Sequence, residues 1–206
     1  MLHVMQTAAR PISDGVLRAM FAARKSVFVD LLKWDVPVID GTYEVDQFDD
    51  THATYLVLAD REEGHLASAR LLPTTRPHIL DSFYGELCEE APPQAPDVFE
   101  ITRFCLDRGL SARERRAARD TLVTALAEHA LAHGITAYTA IAEMPWFQQI
   151  LAFGWRCRPL GLPQVIDATM LVALSIEIDT DTPAKLAAAG IVPSIDIHAA
   201  AARVAA

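Results

Sequence analysis

Residues 99–142, "FEITRFCLDRGLSARERRAARDTLVTALAEHALAHGITAYTAIA", read as a strand, a long helix and a second strand. The helix is the firmest of the three. Ser111 and Glu114 stand at the S-x-x-E spacing in which each side chain satisfies a backbone N–H of the first turn. Ala118, Leu122, Leu126 and Ala130 recur along one face, and Gly134 suits a left-handed C-terminal cap. The spacing predicts strand over 98–106, helix over 111–133 and strand over 135–142.

The first strand contains a conflict. Phe99, Ile101, Phe104 and Leu106 favour a dry environment, yet Glu100 and Arg103 lie among them. Buried charges are costly unless they are paired, hydrated or used. With a side-chain period of two, positions 100 and 103 point to opposite faces of a regular strand. A β-bulge within 99–106 would shift the alternation, turn both charges to one side and splay the sheet locally.

Upstream, residues 13–33 read as a helix capped by Ser13 or Asp14, with Val16, Leu17, Met20, Phe21, Val27, Phe28, Leu31 and Leu32 at helical spacing. Residues 33–50, "KWDVPVIDGTYEVDQFDD", form an acidic loop too long for a simple connector. "ATYLVLAD" (53–60) is apolar on both faces and reads as a central strand; "HLASARLLPT" (65–74) reads as its hairpin partner. Residues 88–97, with Pro92, Pro93 and Pro96, read as surface loop. Downstream come a short helix over 144–154, a strand over 169–178 and a helix over 182–189. The reading is one α/β domain over 1–194, a mixed sheet with helices on both faces, followed by an Ala-rich tail, 195–206.

Composition narrows the function. The chain has 206 residues, 51% of them hydrophobic, enough for a filled core. No apolar run approaches the ~20 residues of a membrane helix. The N-terminus lacks the basic and apolar segments of a secretory signal. Cys88, Cys105 and Cys157 are scattered and read as reduced thiols of a cytoplasmic protein. The histidines are dispersed as well, so no metal site is expected. A net charge of −9 disfavours nucleic acid as partner. Against that background, Arg108, Arg113, Arg115, Arg116 and Arg119 make a local basic patch.

Four blocks carry a resemblance. "RKSVFVDLLKWDV" (24–36), "EVDQFDD" (44–50), "SARLLPTTRPHIL" (68–80) and "FEITRF" (99–104) resemble, in order and spacing, the signature blocks of the acyl-homoserine-lactone synthases. The resemblance implies an N-acetyltransferase-like fold, a single-domain three-layer sandwich with a splayed strand pair. It implies a reaction in which an acyl thioester acylates the amine of S-adenosylmethionine, a substrate and not a cofactor. The product then lactonises with loss of methylthioadenosine. The family's charged and aromatic set falls on Arg24, Phe28, Trp34, Asp46, Asp49, Arg70, Glu100 and Arg103. Residues 13–50 would form part of the S-adenosylmethionine site. Thr102, Phe104, Thr139 and Ala142 would border the thioester or the acyl chain.

The chemistry asks for such residues independently. S-adenosylmethionine carries a sulfonium, an ammonium, a carboxylate and an adenine. Asp46 and Asp49 suit the cations, Phe28 and Trp34 suit adenine or the sulfonium, and Arg24, Arg70 or Arg103 suits the carboxylate. Each also has a plainer reading: Phe28 as core, Trp34 as a cover for the helix end, the charges as a structural ion network. Glu100, in a dry strand, is the candidate base for the ammonium proton. A backbone N–H freed from the ladder would serve the oxyanion.

The acyl donor is acyl carrier protein or acyl-coenzyme A. Only Gly109 stands where coenzyme A-dependent acetyltransferases place several glycines, and the arginine patch suits an acidic carrier protein. Two other functions compete. An N-acyltransferase for a different amine would release no methylthioadenosine. A non-catalytic carrier-protein module would have no use for Glu100 and the full binding set.

Overall fold

The S-x-x-E box closes as its spacing requires. Ser111 donates to Glu114 through its backbone N–H at 2.9 Å and its hydroxyl at 2.6 Å, and the Glu114 N–H donates back to Ser111 Oγ at 3.4 Å. The computed structural model describes residues 1–6 and 14–194; Ser13 and the 195–206 tail lie outside them. In chain order the elements are β1 (Leu2–Gln6), α1 (Gly15–Arg24), a π-helical segment (Lys25–Leu31), β2 (Val38–Ile39), β3 (Tyr43–Glu44), β4 (Thr54–Ala59) and β5 (His65–Pro73). After these come α2 (Ile79–Phe83), β6 (Val98–Leu106), α3 (Ala112–His133), β7 (Ala137–Glu143), α4 (Met144–Leu151), β8 (Arg156–Pro159), β9 (Gln164–Ile166), β10 (Thr169–Glu177) and α5 (Thr182–Ala188).

Two compact units can be described, and β5, β6 and α3 each contribute residues to both. One takes Met1–Leu71, Arg103–Ala125 and, of the described residues, 193–194; the other takes Leu72–Thr102 and Leu126–Val192. In the first, β4 is buried along its whole length, as its apolar run predicts. It pairs antiparallel with β5, the expected hairpin, and on its other side with β1, from Leu2↔Leu58 to Gln6↔Thr54. The sequence reading has no β1, because five residues without flanking turn signals carry little periodicity.

Asp14 caps α1, its carboxylate accepting from the Leu17 N–H at 3.1 Å. The helix buries Val16, Leu17, Met20 and Phe21, and Phe21 meets Tyr55 edge-on at 5.9 Å. It does not continue as α-helix to residue 33. From Lys25 to Leu31 the turns widen, and the Leu32 N–H reaches back to the Val27 carbonyl at 2.9 Å. Val27 and Val29, β-branched and stiff in an α-helix, favour the looser winding. The acidic loop is also more regular than predicted. β2 and β3 pair as a hairpin, Val38↔Glu44 and Ile39↔Tyr43, with Asp40 and Gly41 at φ 51° and 65° in its turn. That Asp-Gly pair between apolar residues is a hairpin signal the reading passed over.

In the second unit, β6 pairs in parallel with β7 from Val98↔Ala137 to Ile101↔Ala140, and the registered pairs end there. β7 pairs antiparallel with β10, which also takes β8 and β9, two short exposed strands absent from the sequence reading. The Tyr138 hydroxyl, buried, donates to the Leu126 carbonyl of α3 at 3.1 Å. The class is mixed α/β, as predicted.

The irregularity expected in β6 is present. Arg103 adopts φ 50°, a left-handed conformation rare outside glycine. Burial along the strand does not alternate: Glu100, Ile101 and Thr102 are buried in succession.

Gly154 tests this packing. Its φ is 90°, and a Cβ there would lie 2.8 Å from the Lys185 carbonyl oxygen. Gly154→Ala should destabilise by roughly 1–3 kcal/mol. Gly85→Ala, whose Cβ would meet nothing nearer than 3.9 Å, should stay within about 0.5 kcal/mol of the parent. Thermal melts of the two variants check the difference.

Candidate active site: a closed ring of buried charge

Three elements of the first unit each aim one arginine inward. Arg24 ends α1, Arg70 lies on β5 and Arg103 on β6. Facing them is the acidic segment 44–49, folded on its own amides. The Asp46 N–H donates to Asp49 Oδ2 at 2.8 Å, and the Phe48 N–H donates to Asp46 Oδ1 at 2.9 Å.

The contacts close a cycle of alternating charge. Arg24 Nε meets Glu44 Oε2 at 2.5 Å, and the Glu44 carboxylate accepts from Arg103 Nη2 at 3.0 Å. Arg103 Nη2 continues to Asp46 Oδ2 at 2.7 Å, and Asp46 accepts both Arg70 Nη1 and Nη2, at 2.6 and 3.0 Å. Arg70 Nη1 reaches Asp49 Oδ1 at 2.8 Å. Asp49 then accepts a fork from Arg24, 2.8 Å on each oxygen, and the Tyr55 hydroxyl at 2.8 Å. Three guanidiniums and three carboxylates leave the ring neutral.

Exposure is uneven. The Arg24, Glu44, Asp49 and Arg70 side chains are at most 1% exposed, whereas Arg103 and Asp46 keep 9% and 10%. Beside that edge, Phe28 and Trp34 stack with centroids 4.7 Å apart, and the Arg103 guanidinium lies 5.6 and 5.8 Å from their ring centres. The π-helical segment carries Phe28, and its end is tied to Trp34, whose N–H donates to the Phe28 carbonyl at 2.8 Å. Phe28 is buried with Ala23 and Cys105; Trp34 is 39% exposed. Burial alone would lower the affinity of Arg24 for its proton, but Asp49 and Glu44 raise it above the ordinary arginine value. Burial likewise pushes the Asp49 carboxyl up, and Arg24 and Arg70 outweigh it, holding the group well below the usual carboxylate range. The Cys105 thiol, pushed by burial up to about 12, is no nucleophile.

This constellation can be set against known proteins. The family model for the autoinducer synthases matches residues 10–186. The chain belongs to that family. An acyl-homoserine-lactone synthase of Ralstonia solanacearum is 33% identical over 183 residues, covering 85% of this chain and 88% of the relative. The solved structure of BjaI, a coenzyme A-dependent acyl-homoserine lactone synthase with S-adenosylmethionine and isopentyl-coenzyme A, superposes with a TM-score of 0.81 at 28% identity, covering 98% of this chain and 99% of that one. A candidate N-acetyltransferase of Lactobacillus plantarum, 19% identical, shares the fold at a TM-score of 0.56 over 86% of this chain and 99% of its own. The autoinducer synthase therefore has the acetyltransferase-like fold its sequence predicts.

Of the sequence-predicted residues, Arg24, Asp46, Asp49, Arg70 and Arg103 meet in the ring, with Phe28 and Trp34 at its edge. Glu44 was missed, although it opens the "EVDQFDD" block; it is fully buried and joins Arg24 to Arg103. Glu100 lies elsewhere, in the second unit. Its carboxylate accepts the Ile79 N–H at 2.8 Å and the Leu80 N–H at 2.9 Å. The expected β-bulge was to turn Glu100 and Arg103 to one side; the contacts of the two instead go to different partners, Glu100 to the backbone of α2 and Arg103 to the ring. Thr139 is the registered partner of Glu100 in the parallel pair, and its buried Oγ1 has no hydrogen-bond partner. Thr102 and Ala142 are buried and Phe104 half-buried.

The basic patch is narrower than its composition. Arg108 donates to the Ser26 carbonyl at 3.1 Å, Arg115 to the Asp107 carbonyl at 2.9 Å, and Arg119 pairs with Asp120 at 2.6 Å. Arg113 and Arg116 stand exposed. The histidines are less dispersed than the sequence reading held. His129 and His133, one helical turn apart on α3, stack at 4.0 Å. Burial and then His133 lower the His129 value to about 4. Among the described residues no group of three or more metal-ligating side chains forms.

The ring sets an acid limit on stability. A carboxyl whose folded value is depressed contributes fully above its unfolded value of about 3.9, and the contribution is lost as pH falls through the lower folded value. At neutral pH, Asp49→Asn leaves Arg24 and Arg70 undercompensated and should cost about 3–5 kcal/mol. The gap in melting temperature between Asp49→Asn and the parent should narrow on going from pH 7 to about pH 3, followed by circular dichroism.

Proposed function

We propose that the chain transfers an acyl group from a thioester to the amine of S-adenosylmethionine and releases an N-acyl-homoserine lactone, a quorum-sensing signal, with methylthioadenosine. The observation that carries this reading is the open edge of the ring. Its four buried members have every charge engaged, so they are scaffold. Asp46 and Arg103 retain access and stand beside the Phe28–Trp34 stack, so this edge meets the substrate: a carboxylate for a cation, a guanidinium for the carboxylate, aromatic faces for adenine or sulfonium. Residues 13–50 thus contribute S-adenosylmethionine contacts through Phe28, Trp34 and Asp46, and support through Arg24 and Asp49; Arg70 adds support from β5.

Glu100 is the base for the ammonium proton. Its two backbone donors fix the carboxylate in place. The end of the β6–β7 ladder supports an oxyanion donor from the backbone beyond Ile101. Thr102, Phe104, Thr139 and Ala142 border the thioester and acyl chain, and the orphaned Thr139 hydroxyl on the Glu100 face supports that assignment. The donor is acyl carrier protein, which Arg113 and Arg116 suit by charge. BjaI, with its coenzyme A thioester, favours acyl-coenzyme A as the second reading. S-adenosylmethionine is a substrate, and no cofactor is required. The three free cysteines suit a reducing cytoplasm, and no helix among the described residues is long and apolar enough to cross a membrane.

Glu100→Gln should retain S-adenosylmethionine binding by calorimetry and slow methylthioadenosine release by roughly 10²–10⁴-fold, the usual loss for a general base. Turnover near the parent rate would remove Glu100 from that role. Arg113→Glu with Arg116→Glu should raise KM for acyl carrier protein, less so as salt passes ~0.15 M, where screening acts over about 8 Å. Equal loss with acyl-coenzyme A would point to a phosphate contact common to both donors.

A further inference from the structure

Acyl transfer to an ammonium sheds two protons from one nitrogen. The first N–H bond breaks to give the amine that attacks the thioester carbon. The N–C bond forms, the C–S bond breaks, and a second N–H bond breaks to leave the neutral amide. One proton ends on the thiolate sulfur and the other goes to solvent. The carboxylate of Glu100, pinned by two backbone donors, can carry one proton at a time. The second needs its own acceptor.

His78 has the required properties. Its side chain is fully buried. Nδ1 lies 2.8 Å from the Arg76 carbonyl oxygen. A carbonyl only accepts, so Nδ1 carries a hydrogen, and the tautomer with its single hydrogen there presents an Nε2 lone pair. That Nε2 is buried and has no hydrogen-bond partner among the described residues. An acceptor left unpaired in the interior costs free energy and calls for an occupant. The place is informative too. His78 directly precedes Ile79 and Leu80, whose N–H groups hold Glu100. Glu100 in turn is in register with Thr139 of β7, whose buried hydroxyl also has no hydrogen-bond partner among the described residues.

We propose that His78 is a second catalytic residue of the acyl transfer: Nε2 accepts, directly or through one water, the second proton leaving the amine nitrogen and delivers it to the departing thiolate. The proposal rests on the reading of Glu100 as the first acceptor. The Arg76 carbonyl fixes the tautomer, so the ring is ready before substrate arrives.

The test uses the full chain with S-adenosylmethionine and whichever of acyl carrier protein or acyl-coenzyme A thioesters turns over faster, following methylthioadenosine release. His78→Phe fills the ring volume without an acceptor, and His78→Gln keeps an oxygen near Nε2 that cannot take a proton. Both should melt near the parent temperature, keep KM for S-adenosylmethionine and lose roughly 10²-fold in kcat. Added imidazole should restore part of the rate to His78→Ala. Full activity in His78→Phe, or recovery in His78→Gln alone, would overturn the proton-acceptor role. A rise in KM without a fall in kcat would overturn it as well. Glu100→Gln assayed in parallel separates the two claims: if it turns over normally, the first-base reading fails, and the His78 variants still report on the second proton.

Discussion

Six buried charges in one closed cycle constrain the first unit more than any single apolar contact does. Withdrawing a charge from water costs several kcal/mol, and the attraction between partners repays it only when the geometry is complete. The ring meets that condition because each carboxylate serves two arginines and each arginine two carboxylates. Tyr55 supplies a further donor to Asp49. The cycle is satisfied as a whole or strained as a whole. It ties α1, the β3 hairpin strand, the acidic loop, β5 and β6 together through side chains, so those elements must be in register for any of it to form.

The ring also explains the backbone irregularities around it. Arg103 must reach Glu44 and Asp46 from a strand whose regular geometry would send it elsewhere, and its left-handed φ accomplishes this. A conformation that costs on the order of 1–3 kcal/mol persists when the surroundings determine it, and here three hydrogen bonds to two carboxylates do so. The widened turns after Arg24 belong to the same arrangement. They carry Phe28 to the Arg103 guanidinium while Arg24 stays with Glu44 and Asp49. The ring is least closed at Asp46 and Arg103, next to the exposed Trp34.

Glu100 follows a different logic. The backbone N–H groups of Ile79 and Leu80 hold its carboxylate. Three residues apart on one strand, Glu100 and Arg103 thus differ in their partners: one accepts from the backbone of α2, the other completes a charge network. His78 Nε2 lies by sequence, and Thr139 Oγ1 by register, next to Glu100; both are buried without a hydrogen-bond partner among the described residues, as is His65 Nδ1 on β5.

The sequence alone determined the class, the long helix with its capping box and the buried β4–β5 hairpin, and it singled out five of the six residues that meet in the charged ring. Those features rest on local rules: periodicity, capping spacing, and motif blocks whose order survives without knowledge of the fold. It also located the irregularity in β6, since charges inside an apolar strand announce a conflict. It could not say which acid each arginine meets, because those pairs join residues 20 to 59 positions apart. It missed Glu44, whose role exists only once Arg24 and Arg103 arrive at it, and it missed β1, β8 and β9, short strands that form because a longer neighbour offers its edge. Nothing local marks His78 as different from a surface histidine. Its burial, its fixed tautomer and its unpaired nitrogen were decided by the turn that folds over Glu100, and only tertiary structure supplies that turn.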